Sequence, residues 1–289
     1  MKSKVKGPKS KIVNLRSKIV SLILYFLLLG FTIAVLYPIV NVFSISMRPS
    51  DRLLSTSLRI IPEGASFNAY KVLFTETPFL LWFLNSVIIA AVVMITGVAL
   101  ASTAGYAFSR FNFYGKKSAM VSLLVTQMFP PTMLLLPMYI MLLKLHLINS
   151  YLGIIVIYTS TALPFCVWQM KGYYDTIPFS LEEAARIDGS TRWGAFRKVV
   201  LPLAAPALVI TALFSFMTAW AEYVVAAQVL QDTSLFTLPL GLKQFEASMS
   251  TQWGLYAAGS LIVSIPAVAL FLFLSRWLIS GLTLGGVKG

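Results

Sequence analysis

Charged side chains are scarce in this chain, since they make up 11% of its 289 residues and only 10 of them are acidic. Hydrophobic residues make up 58%, a share well beyond that of a soluble domain of this length. The composition therefore excludes an ordinary soluble globular protein. It predicts that lipid surrounds most of the chain.

Residues that carry chemistry are also few. The single cysteine, Cys166, excludes an intrachain disulfide, and a lone histidine such as His146 is rarely a metal ligand. The sequence contains no Walker A motif, no nucleophile paired with a base and no paired carboxylates within an apolar run. We therefore predict a non-catalytic chain with no metal site and no cofactor of its own.

The excess of basic residues gives a net charge of +13, which in a soluble domain would suggest a nucleic-acid partner. Here the Lys and Arg residues lie in the gaps between apolar runs and do not gather on one face. This distribution is typical of membrane topology signals. We therefore predict contact with membrane lipid and no nucleic acid.

Long apolar runs dominate what remains, and six of them reach the roughly 20 residues that a transmembrane helix needs. The runs are Ile19 to Ile45, Phe79 to Phe108, Ser118 to Leu143, Leu152 to Met170, Leu203 to Leu230 and Leu255 to Ile279. They predict an all-α polytopic membrane protein with six transmembrane helices at residues 19–281, between a basic arm at residues 1–18 and a tail at residues 282–289.

The placement of the cations predicts the orientation of the chain. The N-terminal arm and the gaps after the second and fourth runs carry most of the Lys and Arg residues, whereas the intervening gaps carry few. By the positive-inside rule, the cation-rich side is cytoplasmic. We therefore expect a multi-pass protein of the bacterial cytoplasmic (inner) membrane with both termini in the cytoplasm.

Two gaps on the opposite side, Met47–Pro78 and residues 231–254, are long enough to have a function. Each is either a solvated connector or a docking site for an external partner, and the sequence pattern leaves both open.

The gap at residues 173–202 predicts a pair of short cytoplasmic helices. Ser180 and Glu183 have the spacing of a capping box, and Gly189 suits the left-handed residue past a helix end. A second helix is expected to start at Ser190 or Thr191. Because about two turns of helix are unstable alone in water, the first helix needs a partner, either another protein or its own bundle and bilayer.

Three stretches of sequence resemble one family. Glu183-Ala184-Ala185, three residues, Gly189, nine residues and then Val199-x-Leu201-Pro202 resemble the EAA loop of bacterial ABC-importer permeases. The Trp220–Tyr223 stretch and the ending Gly281–Gly289 are similar to the smaller permease subunit of maltose and maltodextrin importers.

The resemblance implies a type I ABC-importer permease bundle whose EAA helices seat in clefts of ATPase subunits. It implies four kinds of partner: a second permease subunit, two ATPase subunits that bind ATP and Mg, an extracytoplasmic sugar-binding protein and membrane lipid. The implied function is alternating-access import of maltose, maltodextrin or a similar oligosaccharide.

The resemblance also assigns roles to particular residues. ATPase coupling falls to the EAA-loop residues Glu182, Glu183, Ala184, Ala185, Gly189 and Pro202. Contact with the binding protein falls to Leu240, Gly241, Lys243 and Gln244, and contact of the tail with the ATPase falls to Gly285, Gly286 and Lys288. Glu222 is the only acid within an apolar run, and together with Trp220 it is expected to make an interfacial hydrogen bond or a gate contact.

Three alternatives stay open. An ion-coupled secondary transporter would need buried coupling residues, for which Glu222 is the sole candidate, and an inverted repeat, which the sequence does not show. The others are a non-transporting membrane anchor and an ABC permease for another solute class.

Overall fold

The computed structural model describes residues 8–49, 59–246 and 251–285, and within these ranges the regular structure is helical. In chain order the helices are α1 (Pro8–Ser46), α2 (Asn68–Thr75), α3 (Phe79–Arg110), α4 (Lys116–Thr126), α5 (Pro131–Lys144), α6 (Tyr151–Thr176), α7 (Phe179–Ile187), α8 (Arg192–Ala195), α9 (Leu201–Leu203), α10 (Ala205–Trp220), α11 (Val224–Val229), α12 (Leu238–Lys243) and α13 (Trp253–Gly285).

Four of the described helices are long and apolar enough to cross a membrane unbroken: Ser17–Ser46 within α1, all of α3 and α6, and Trp253–Trp277 within α13. They coincide with the first, second, fourth and sixth apolar runs of the sequence. The all-helical fold class is therefore confirmed.

The third apolar run is divided, since α4 ends at Thr126 and α5 begins at Pro131. Pro130 has an extended backbone, with φ −57° and ψ 131°. Because a residue that precedes proline is disfavoured in the helical region, Pro131 keeps Pro130 out of the helix. The predicted span is thus two shorter helices joined by a turn.

The fifth apolar run is interrupted at both ends. Residues Arg192–Leu203 bend by 79° into α10, and α10 itself stops at Trp220 before the short helix α11. If the bent pair crosses the membrane as one unit, the described residues contain five candidate spans. The sequence therefore overestimated the length of the fifth span.

The centre of the bundle is formed by α3, α6 and α10, which pack directly on one another. Small residues permit this close approach. A Cβ atom added to Gly97 of α3 would lie 2.5 Å from Ser215 Oγ of α10, and one added to Gly105 would lie 2.7 Å from Met170 Cβ of α6. Helices in membranes commonly associate through such small residues, because packing contacts replace the hydrophobic driving force.

The first helix stands largely apart from this centre. It contacts the bundle mainly along α13, and the apolar side chains from Ile19 to Tyr37 are mostly exposed. Where α1 ends, the Ser46 hydroxyl lies 2.8 Å from the Tyr70 hydroxyl of α2. An exposed apolar surface of this extent is expected to face lipid or another chain.

Candidate functional site

The EAA segment, which we define as residues 177–204, begins with α7. Pro178 occupies the N-cap position with an extended backbone, and no side chain caps the helix. Ser180 therefore lies within the first turn, and the predicted capping box of Ser180 with Glu183 is wrong. The physical reason is that Pro178, whose fixed φ suits a helix start, begins the helix two residues earlier than a cap at Ser180 would.

The end of α7 and the start of α8 agree with the sequence prediction. Gly189 has φ +90°, a left-handed conformation that costs glycine little. The N–H of Ser190 donates to the carbonyl of Ala185 at 2.9 Å, which closes the helix end. The Thr191 side chain then accepts from the N–H of Gly194 at 3.0 Å and caps α8.

Glu182 points into the protein. Its carboxylate pairs with Arg110 Nε at 2.5 Å and accepts from the Tyr106 hydroxyl at 2.7 Å, and both partners belong to α3. Arg110 Nη2 also donates to the carbonyl of Ile177 at 2.9 Å. The residue is 3% exposed, so it faces the bundle in this structure. The sequence analysis used Arg110 only as one of the cations that predict orientation, and nothing in the sequence pointed to Tyr106.

The opposite side of the EAA segment is exposed. Glu183 and Ala184 face outward, Ala185 is half-buried, and Pro202 is exposed further along. Apolar side chains share this exposed surface, with Ile187 85% exposed and Trp193 62% exposed. These short helices thus present an apolar surface with a charged rim, the form expected of a protein-docking element. The alternative of α7 lying against its own bundle holds only for the face that carries Glu182.

The remainder of the EAA segment connects α8 to α10. Residues Phe196–Val200 form a π-helical turn, and Phe196 packs its ring 4.4 Å from the ring of Tyr106, measured between centroids. Phe196 and Val200 are both buried. Such turns often occur at functional sites. The EAA segment is therefore attached to α3 as well as to α10.

A second distinctive region, the capping segment (residues 224–246), covers the far end of α3. Most of its apolar side chains are buried. Trp82 Nε1 donates to the carbonyl of Thr233 at 2.9 Å, and Ser86 Oγ accepts from the N–H of Leu238 at 2.7 Å. The solvated-connector interpretation therefore does not describe this part of residues 231–254.

The predicted partner-contacting residues of this segment have two different environments. Leu240 and Gly241 are buried, and Gly241 lies against the Trp82 ring. Lys243 and Gln244 are exposed. Lys243 pairs with the carboxylate of Glu246, and this hydrogen bond raises the pKa of Lys243. Only the exposed pair is directly available to another protein in this conformation.

Glu222 lies at the break between α10 and α11. Its carboxylate accepts from the Tyr158 hydroxyl at 2.7 Å and from the N–H groups of Val225 at 2.7 Å and Ala226 at 3.2 Å. Glu222 is therefore hydrogen-bonded to α6, and it starts α11 by satisfying two N–H groups of its first turn. Trp220 is buried and donates from Nε1 to the carbonyl of Val263 at 3.0 Å.

The predicted tail residues Gly286 and Lys288 lie outside the described residues, and Gly285 is the last residue of α13. Within residues 8–49, 59–246 and 251–285, no group of three His, Cys, Asp or Glu side chains is placed to hold a metal ion.

Asn85 connects the capping segment to the bundle and gives the first prediction. Its Nδ2 donates to the carbonyls of Ser234 at 2.9 Å and Phe236 at 3.0 Å, and its Oδ1 accepts from the Tyr151 hydroxyl at 2.7 Å. Asn85→Leu keeps the size but leaves these groups unpaired, at about 1–3 kcal/mol for each group that stays buried. We expect faster amide hydrogen exchange at residues 231–246.

Tyr151→Phe is the matched control, because it removes one hydrogen bond to Asn85 and keeps both bonds to the capping segment. We expect exchange close to that of the wild type. Equal exchange in the two variants would contradict the role assigned to Asn85.

Comparisons with known proteins agree with this architecture. The chain is 33% identical to the maltodextrin transport system permease protein MalD of Streptococcus pneumoniae, over 96% of this chain and 99% of that protein. It is 37% identical to the maltose/maltodextrin transport system permease protein MalG of Escherichia coli K12, over 92% of this chain and 95% of that protein.

The fold also matches a chain in the crystal structure of a bacterial ABC transporter involved in the import of the acidic polysaccharide alginate. The TM-score is 0.76 at 21% identity, with 95% of this chain and 99% of that chain covered. Residues 97–283 match the family described as "Binding-protein-dependent transport system inner membrane component". With its type I permease bundle, the chain therefore belongs to the inner-membrane components of binding-protein-dependent transport systems.

Proposed function

We propose that this chain is a permease subunit of an ATP-driven importer for maltose, maltodextrin or a similar oligosaccharide. Identity of 33% and 37% over nearly full length to permeases named for these sugars supports the substrate class. The observation that carries the role is the EAA segment, whose α7 and α8 present an exposed apolar surface at one end of the bundle.

The proposed assembly contains a second permease subunit of the MalF type, two ATPase subunits of the MalK type and an extracytoplasmic sugar-binding protein. ATP and Mg bind to the ATPase subunits, and this chain supplies no cofactor site. Both termini lie on the cytoplasmic side with the EAA segment. A neighbour of similar fold was crystallised in complex with an alginate pentasaccharide-bound periplasmic protein, which supports a binding-protein partner here.

The proposed mechanism begins at the exposed face of α7. Closure of the ATPase subunits moves this face, which carries Glu183 and Ala184. The motion enters the bundle along α8 and the bend into α10. Rotation of the bundle then exposes the sugar path alternately to the two sides of the membrane, as a population shift driven by ATP.

Two further surfaces belong to the proposal. Lys243 and Gln244 contact the sugar-binding protein, while the buried Leu240 and Gly241 support the backbone beneath them. The tail residues Gly285, Gly286 and Lys288 contact the ATPase subunits. Trp220 and Glu222 stabilise the break between α10 and α11, from which the capping segment begins.

The second prediction tests the function directly. The chain is tagged in its own host, purified in detergent and reconstituted in vesicles. We expect two ATPase chains and a second permease to co-purify, and the sugar-loaded binding protein to stimulate ATP hydrolysis and uptake of maltodextrin. A catalytically inactive ATPase subunit serves as the control and should abolish uptake.

Two results would overturn the function. One is purification without ATPase chains. The other is sugar uptake that persists without ATP and collapses when an ionophore dissipates the ion gradient.

A further inference from the structure

We propose that Glu182, Arg110 and Tyr106 form a clamp that transmits movement of the EAA segment into α3. The proposal rests on the coupling function above and adds a second route into the bundle, beside the covalent route through α10. In this clamp Glu182 is a positioning residue: it faces the protein interior and holds the exposed docking face of α7 in place.

The contacts of the clamp are complementary in charge and in hydrogen bonding. Each Glu182 oxygen has its own donor, with Oε1 held by Arg110 Nε at 2.5 Å and Oε2 held by the Tyr106 hydroxyl at 2.7 Å. Hydrogen bonds between charged groups are stronger than neutral ones and fix geometry as well. The carboxylate therefore sets both the position and the rotation of α7 against α3.

Arg110 also holds the entry to α7. Its Nη2 donates to the carbonyl of Ile177 at 2.9 Å, one residue before the N-cap Pro178. A single guanidinium thus binds the backbone just before α7 and, through Glu182, the first turn of α7. Lysine has one ammonium group and lacks the planar, multi-donor geometry that makes both contacts from fixed directions.

Burial makes separation of the Glu182–Arg110 ion pair unfavourable. The side chains of Arg110 and Glu182 are 9% and 4% exposed, so water screens their attraction little. By contrast, Lys171–Asp175 and Lys243–Glu246 are more exposed pairs between residues three or four positions apart, and such pairs contribute little. Separating Glu182 from Arg110 would leave a buried charge unpaired, which strongly disfavours independent movement of α7.

The position of Arg110 on α3 connects the clamp to the capping segment. Arg110 is the last residue of α3, and the other end of the same helix carries Trp82 and Asn85, which hold the backbone of the capping segment. The 29 residues from Trp82 to Arg110 span about 40 Å of continuous helix. Movement of α7 is therefore carried by one rigid element to the segment proposed to meet the binding protein.

The third prediction uses the assembled complex. Glu182→Gln keeps the size of the side chain and removes the charge. We expect the ATPase subunits still to co-purify, because the exposed face of α7 is unchanged. We expect the sugar transported per ATP hydrolysed to fall about tenfold, since the energy of ATP no longer reaches α3 efficiently.

Three further variants separate coupling from folding. Tyr106→Phe removes one hydrogen bond without a change of charge, and we expect a loss of about threefold in the same ratio. Glu182→Asp should restore part of the ratio lost in Glu182→Gln. Glu76→Gln is the matched control for charge, because it makes the same substitution at an exposed glutamate that follows α2, outside both the EAA segment and α3. It should transport as the wild type does.

The outcomes are distinguishable. If the wild-type chain carries no ATPase, the proposed function fails and the clamp fails with it. If the wild type couples normally and Glu182→Gln and Tyr106→Phe do as well, the clamp alone is overturned. If Glu182→Gln does not accumulate, the ratio measured for Tyr106→Phe decides: a loss supports the clamp, and a wild-type value overturns it.

Discussion

Replacing Gly189 with valine is expected to reduce sugar-stimulated ATP hydrolysis about tenfold. Gly189 has φ +90°, and a β-branched residue held in this region carries roughly 1–3 kcal/mol of strain. The chain relieves that strain by changing the path from α7 to α8. The docking face formed by the two helices would then lose its geometry.

The control for this change is Gly189→Asn. A Cβ atom at this position meets no other atom within 4 Å, so the strain comes from the backbone alone and not from crowding. Asparagine tolerates the left-handed conformation better than valine does. We expect it to retain most of the activity in the same assay with purified complex. Equal losses in both variants would show that the conformation at residue 189 is not the cause.

Replacing Gly241 with alanine is expected to have the second large effect, on stability and on uptake together. An added Cβ would lie 2.1 Å from Cε3 and 2.2 Å from Cδ2 of Trp82, a rigid ring within the core. The helix α12 must move away to accommodate it, at about 1–3 kcal/mol for overpacking. Because Lys243 and Gln244 follow on the same segment, we expect stimulation by the binding protein to fall.

Thermal unfolding of the purified complex and uptake into vesicles measure the two effects of Gly241→Ala. Gly172→Ala is the matched control, since Gly172 is helical and a Cβ atom there meets nothing within 4 Å. It should unfold at or slightly above the wild-type temperature, because alanine is the better helix former. A Gly241→Ala variant as stable as Gly172→Ala would contradict the close packing against Trp82.

The features that the sequence predicted well depend on local signals. Apolar runs located four continuous helices, because a bilayer requires about 20 consecutive apolar residues and such a run is visible in the sequence. The left-handed Gly189 followed from glycine's tolerance of positive φ, and the start of α8 followed from the cap-forming residues Ser190 and Thr191, of which Thr191 is the cap. The family resemblance likewise depended on residues close together in the chain.

The features that the sequence missed depend on distant partners. Adjacent glutamates at 182 and 183 look alike in a nine-residue helix, and the inward direction of Glu182 is set by Arg110, which lies 72 positions away. The break at Glu222 depends in part on Tyr158, which lies 64 positions away. In the sequence Leu240 and Gly241 resemble exposed loop residues, because no nearby residue indicates that this segment packs on Trp82.

The way in which α3 holds the capping segment separates attachment from recognition. Trp82 and Asn85 bind carbonyl oxygens of residues 233, 234 and 236, which every amino acid possesses. The side chains of Thr233 and Ser234 are exposed and contribute nothing to these bonds. Related transporters can thus substitute the side chains on this surface to bind a different partner, while the path of the main chain beneath stays the same.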